Sequence, residues 1–193
     1  MPWTAMHERA AESIEFIRET MVRSASFTAV PGHGGVAMGM IGVVAAAFGT
    51  YAPTPRAWLG TWLVAAIMAA PIGLVATIHK ARRNNVALWS ASGRRFMQGF
   101  LPALVAGAAL TWGLVQAERI ELLAPTWLLL YGAGILAGAT ASIPVLTWLG
   151  AEFMILGAGA VITGGHWADL WLGAGFGGLQ IVFGIIIARK HGG

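Results

Sequence analysis

Six long apolar runs follow one another along this chain, and they leave few folds open to it. They fall at about residues 34–51, 57–79, 96–117, 124–141, 143–163 and 166–188. Each is roughly 18 to 23 residues long, enough for a helix to cross the ~30 Å hydrocarbon core of a bilayer. An ordinary soluble domain carries roughly 25% charged residues, whereas this chain has 10% charged and 57% hydrophobic side chains. A mean hydropathy of +0.71 agrees. The expected fold class is therefore all-α, a polytopic membrane helix bundle with about six transmembrane helices.

The joint between the fourth and fifth runs is the least marked. Between Trp127 and Thr163 the only break is Ala139-Thr140-Ala141-Ser142-Ile143-Pro144. One helix across that stretch would reach about 55 Å at 1.5 Å per residue, far beyond the bilayer. A tight hairpin is expected, with Pro144 opening the next helix, where proline fits the first turn. If 139–144 instead lay within one long tilted or re-entrant helix, the count would fall to five and the C-terminus would change sides.

Residues 1–30 differ from the rest. Trp3, Met6, Ala10, Ile14, Ile17 and Met21 recur at steps of three or four and share one helical face. Glu8, Arg9, Glu12, Glu15, Glu19 and Arg23 fill the remainder. No short apolar core with a small-residue cleavage site is present, so this is not a signal peptide. The segment reads as an amphipathic helix on the cytoplasmic side, ending near Ser24 before the breaker Pro31-Gly32. The chain is thus divided into 1–30, an interfacial helix, and 31–193, the six-span bundle.

Orientation follows from the cations, which gather in cytoplasmic segments. With the N-terminus inside, Arg9, Arg18, Arg23, Lys80, Arg82, Arg83, Arg94, Arg95, Arg189 and Lys190 lie inside, leaving Arg56 and Arg119 outside. An even number of spans returns the C-terminus to the cytoplasm. Tryptophans favour the interfaces, and Trp58, Trp127, Trp167 and Trp171 fall near the outer one, Trp3, Trp89 and Trp148 near the inner. The same asymmetry accounts for the pI near 10.4 without a nucleic-acid partner, since basic surface stripes are absent.

Small residues four apart, Gly35/Gly39, Gly134/Gly138 and Gly173/Gly177, let helices approach closely in lipid. Compact packing within one chain is the plainer reading, and a homo-oligomer face the sharper one. Pro71, within the second span, is expected to kink it. Spans one and four are both glycine-rich, which invites the three-plus-three inverted repeat of some transporters, but no alignment of the halves stands out.

One formally charged side chain lies well inside a span. Glu152 stands about eight residues from Pro144, roughly 12 Å into the membrane by helical rise. Acids at such depth are costly and usually face the bundle interior or a wet cavity. Gln180, on the antiparallel sixth span, falls at a similar depth, so a Glu152–Gln180 hydrogen bond is expected. The functional reading makes Glu152, with Tyr131, Thr147 and Gln180, a proton or cation site. The structural reading makes it a neutral acid holding helices together.

Other chemistry is thin. The chain has no cysteine, which excludes disulfides, thiolate metal sites and thiol nucleophiles. His33 and His79 lie at inner span ends and are the only candidates for a haem pair; no cofactor is otherwise expected. Gly173, Gly175 and Gly178 spell the dinucleotide fingerprint, but inside an apolar helix rather than after a strand. No Ser-His-Asp set, carboxylate pair or H-E-x-x-H motif suggests an enzyme. The basic loop 80–95 suits anionic headgroups, each cation contributing about 1 kcal/mol. It also offers Arg82, Arg83, Arg94 and Arg95 to Glu12, Glu15 and Glu19, or leaves those acids to a partner protein.

Four stretches carry a resemblance: Ser26-Phe-Thr-Ala-Val-Pro-Gly32, Trp127-Leu-Leu-Leu-Tyr-Gly-Ala-Gly134, Gly175-Phe-Gly-Gly-Leu-Gln-Ile-Val-Phe-Gly184 and the final Ala-Arg-Lys-His-Gly-Gly. They resemble small uncharacterised bacterial multi-span proteins, which implies a bacterial plasma-membrane location and no particular activity. The function expected is a non-enzymatic scaffold, accessory subunit or regulator acting through the first helix and the basic loop. The alternatives are a small transporter or channel centred on Glu152, or a haem- or pigment-binding subunit.

Overall fold

The computed structural model describes residues 26–84 and 87–191. It contains six helices long and apolar enough to cross a membrane: α1 Gly32–Gly49, α2 Pro55–Arg83, α3 Ala91–Gln116, α4 Ile120–Ala139, α5 Val145–Thr163 and α6 Gly165–His191. The amphipathic helix expected over the first residues lies outside the described part of the chain, and so do Glu12, Glu15 and Glu19. No strand occurs among the described residues; a single parallel bridge joins Phe27 to Ser142. The fold is an all-α bundle.

Local chemistry fixes the helix ends. Thr54 caps α2, its side chain accepting from the Ala57 N–H at 3.1 Å, and Pro55 takes the first helical position. Ser90 caps α3 in the same way through Gly93 N–H at 3.2 Å. The hairpin expected before Pro144 is present: α4 ends at Ala139 and α5 begins at Val145, with Pro144 at its N-cap. Helices α2 and α3 run on through Pro71 and Pro102. Within α6 the seven residues Gly173–Leu179 form a π-helical stretch.

Glycine decides how the helices pack. Helix α4 lies against α5 with Gly132 and Gly150 in mutual contact; a Cβ on either would stand 2.8–2.9 Å from the other's carbonyl oxygen. Gly39 and Gly42 of α1 meet the backbone of Gly177 and Phe176 in α6, and Gly134 and Gly138 of α4 receive Phe100 and Phe96 of α3. The small-residue pairs read from the sequence are thus used within one chain.

An order emerges from these contacts. Helix α1 packs on α2 and α6, and α4 packs on α5 and α3, while α2 and α3 scarcely touch each other. Exchanging the first three helices for the last three preserves these principal contacts, although α6 also touches α4 and α5. The ends Gly49 and Ala139, and the starts Pro55 and Val145, share an interval of 90 residues. That interval also carries Trp58-Leu59-Gly60 onto Trp148-Leu149-Gly150 and Thr50 onto Thr140. Both threonines turn their hydroxyls back onto the last turn, to Ala46 O at 3.0 Å and Ala137 O at 2.8 Å. Three crossings per half is an odd number, so the halves run in opposite senses. The internal correspondence that the sequence alone left unaligned is visible in these boundaries.

Candidate functional site

A column of aromatic rings occupies the centre. Phe27, Phe96 and Phe100 stack at 5.4 and 5.8 Å, and Phe100 meets Tyr131 edge-on at 5.5 Å. Tyr131, Phe153 and Phe176 then close a triangle at 4.8–5.2 Å. Offset and edge-to-face contacts at these separations are each worth about 1 kcal/mol beyond the area they bury. Against this cluster Gln180 donates its amide N–H to Tyr131 Oη at 2.7 Å. Gln180 is 7% exposed and follows the π-helical stretch directly. Such stretches are frequent at functional sites.

Glu152 is not part of this pair. Phe153, fully buried, takes the inward position on α5 together with Leu146, Leu149, Gly150, Gly157 and Ala160. The next residue back is rotated by about 100°, which turns Glu152 to the exposed face of the helix. The expected Glu152–Gln180 hydrogen bond is therefore replaced by Tyr131–Gln180. Helical rise gives a position along the helix but carries no information on direction. Around Glu152 stand Trp148 at 70% and Ile155 at 69% exposure. It is the eighth residue of α5, about 10 Å from the helix start at 1.5 Å per residue. Thr147 is also exposed.

The remaining candidates lie on the surface. Arg82 and Arg83 end α2, Arg94 and Arg95 open α3, and all four are exposed. His33 and His79 are exposed too, on helices that touch where Gly34 meets Ala76. No group of three or more His, Asp or Glu side chains suited to a metal ion occurs among the described residues.

Two features were missed by sequence reasoning. At one end of the bundle, Asp169 Oδ1 accepts two indole N–H bonds, from Trp58 at 2.7 Å and Trp62 at 2.9 Å. Beside it lies an open cavity of about 680 Å³ bordered by Arg56, Trp58, Glu118, Glu121 and Asp169. Glu118 holds φ 56°, the left-handed position that ends α3; Arg119 N–H reaches Leu114 O at 2.8 Å and Glu118 N–H reaches Val115 O at 3.1 Å. Glycine is usual in this motif, and a side chain there costs about 1 kcal/mol. The spacing of Trp58 and Trp62, one turn apart, was the only hint of their shared acceptor.

The opposite end is closed by a strap. Phe27 N–H donates to Ala141 O at 2.8 Å, Ser142 Oγ donates to Phe27 O at 2.6 Å, and Lys80 Nζ donates to Val30 O at 2.9 Å. Phe27 and Ala29 are buried. Residues 26–30 are thereby built into the bundle, which begins earlier than Pro31. Comparison with protein-family models, curated proteins and solved structures gives no match.

Proposed function

We propose that this chain is a non-enzymatic membrane scaffold or accessory subunit that docks a partner's transmembrane helix against α5. One observation carries the reading: Glu152 stands on the exposed face of a span, at a depth where an acidic side chain costs about 3 kcal/mol on insertion scales. An acid with no function there is expensive, and its flanks Trp148, Ile155 and Ile162 are apolar and exposed. The partner is a span carrying a basic or amide donor at matching depth. A basic donor has to come from another protein, because no Lys, Arg or His stands in the middle of any span of this chain; a second copy would offer only the exposed amide of Gln98 on α3. A closed aromatic core, with no buried side-chain N or O lacking a hydrogen bond among the described residues, also favours a binding role over a conduit.

The bilayer in question is a bacterial plasma membrane, with the Lys80 end cytoplasmic. Lys80, Arg82, Arg83, Arg94, Arg95, Arg189 and Lys190 gather there, against Arg56 and Arg119 at the other end, in keeping with the positive-inside rule. The exposed arginines of that end form a second surface for acidic partners, including the first helix of this chain.

A transporter remains the second reading, favoured by the opposed halves and by the π-helical stretch beside Tyr131–Gln180. The two are separated by one pair of measurements on Glu152→Leu and Glu152→Gln. A docking role predicts that Glu152→Leu abolishes a stoichiometric complex purified from native membranes, that Glu152→Gln keeps part of it, and that neither loses thermal stability. Cation or proton flux in proteoliposomes that disappears in Glu152→Gln would overturn docking in favour of transport.

A further inference from the structure

We infer that the cavity at the Asp169 end binds a primary ammonium group, presented by an aminophospholipid that enters between α2 and α3. The charge around the cavity points to a cation. Glu121 is engaged, accepting from Arg119 Nε at 2.6 Å. That leaves the carboxylates of Asp169 and Glu118 against the single guanidinium of Arg56. Both indole donors fall on Asp169 Oδ1, and Oδ2 receives no hydrogen bond among the described residues. A carboxylate pinned through one oxygen keeps the other pointed at a fixed place. A primary ammonium offers three donors to such an oxygen, and Trp58 borders the same cavity, an aromatic neighbour that suits a cation.

The route into the cavity points to lipid. Helix α2 contributes Trp58 to the cavity border and α3 contributes Val115, yet the two helices scarcely touch. Their exposed side chains, Leu63 and Ile67 on α2 and Leu110 and Trp112 on α3, are apolar. A ligand with a charged head and acyl tails fits a charged cavity bordered by two helices whose exposed sides are apolar. Arg56 stands at the rim for the phosphate. Glu118, kept in a backbone position that favours glycine, places the second carboxylate there.

Native mass spectrometry of the purified chain tests this, with phosphatidylethanolamine, phosphatidylcholine and phosphatidylglycerol of identical acyl chains, and with soluble glycerophosphoethanolamine. Phosphatidylethanolamine is expected to be retained roughly tenfold more than the other two lipids, the scale of one charge-assisted hydrogen bond. Glu118→Gln should reduce that retention about fivefold. Glu118→Gly should reduce it similarly while raising the melting temperature, so loss of binding cannot be mistaken for loss of fold. Asp169→Asn, which keeps an acceptor for the indoles, should also lower it. Equal retention of the three lipids, or indifference to both Glu118 variants, overturns the site. Binding of glycerophosphoethanolamine as tight as that of the lipid overturns the membrane as the source of the amine.

Discussion

Helices α2 and α5 occupy equivalent places in the two halves, yet they are held in different ways. Helix α5 is fixed by close backbone approach, Gly150 against Gly132 and Gly157 against Leu129. Helix α2 has few buried residues along its length; it packs on α1 through Gly73 at Met38 and Ala76 at Gly34 and is tied near its ends by Trp58 and Trp62 to Asp169 and by Lys80 to Val30. The 90-residue interval that matches Trp58-Leu59-Gly60 to Trp148-Leu149-Gly150 also sets Trp62 opposite Glu152. Trp62 turns inward onto a carboxylate, whereas Glu152 turns outward and is itself the carboxylate. One topology thus supports an end-tied helix in the first half and a closely packed, polar-faced helix in the second. A rigid helix is the better platform for docking, because its exposed residues are already ordered before a partner arrives.

The largest effect expected from breaking this contrast is at the matched glycines. Gly150→Leu forces a side chain into the Gly132 backbone and should cost about 3 kcal/mol or more. Gly60→Leu meets nothing within 4 Å and should change stability by less than about 0.5 kcal/mol. Detergent-denaturation midpoints of the two variants check both. Next comes Asp169→Ala, which leaves two indole N–H groups without their acceptor and should cost about 2–3 kcal/mol. Its signature is local: protease cleavage near residues 52–56 should accelerate while the α4–α5 hairpin stays protected. Ser142→Ala removes one hydrogen bond from the strap at the end of that hairpin and should cost about 1 kcal/mol in the same denaturation assay. Smallest is Glu152→Leu in the isolated chain, expected within about 0.5 kcal/mol of the parent because the side chain supports nothing.

The number of spans and their order were legible because length and hydropathy are properties of consecutive residues. The joint at Ser142-Ile143-Pro144 was legible because a bilayer has finite thickness. Which way Glu152 points was not. Outward Trp148, Ile155 and Ile162 are as apolar as inward Leu146, Leu149 and Phe153, so α5 carries no amphipathic contrast from which to read a face. In lipid the inward face is chosen by shape, chiefly by Gly150 and Gly157 meeting another helix. The Asp169 anchor was hidden for a different reason. It joins residues 111 and 107 positions apart in sequence, and no local pattern announces a long-range acceptor.

The proposed docking face lies on α5, at Glu152, and not on its counterpart α2. Site-specific photocrosslinking in native membranes tests it directly, with the reactive side chain at Ile155 on α5 or at Ile67 on α2; the two are similarly exposed, at 69% and 70%. Docking on α5 predicts a single heteromeric protein adduct from Ile155 that disappears in Glu152→Leu, and only lipid adducts from Ile67. Lipid adducts alone from both positions, an adduct from Ile155 indifferent to Glu152→Leu, or an adduct of two copies of this chain would contradict it.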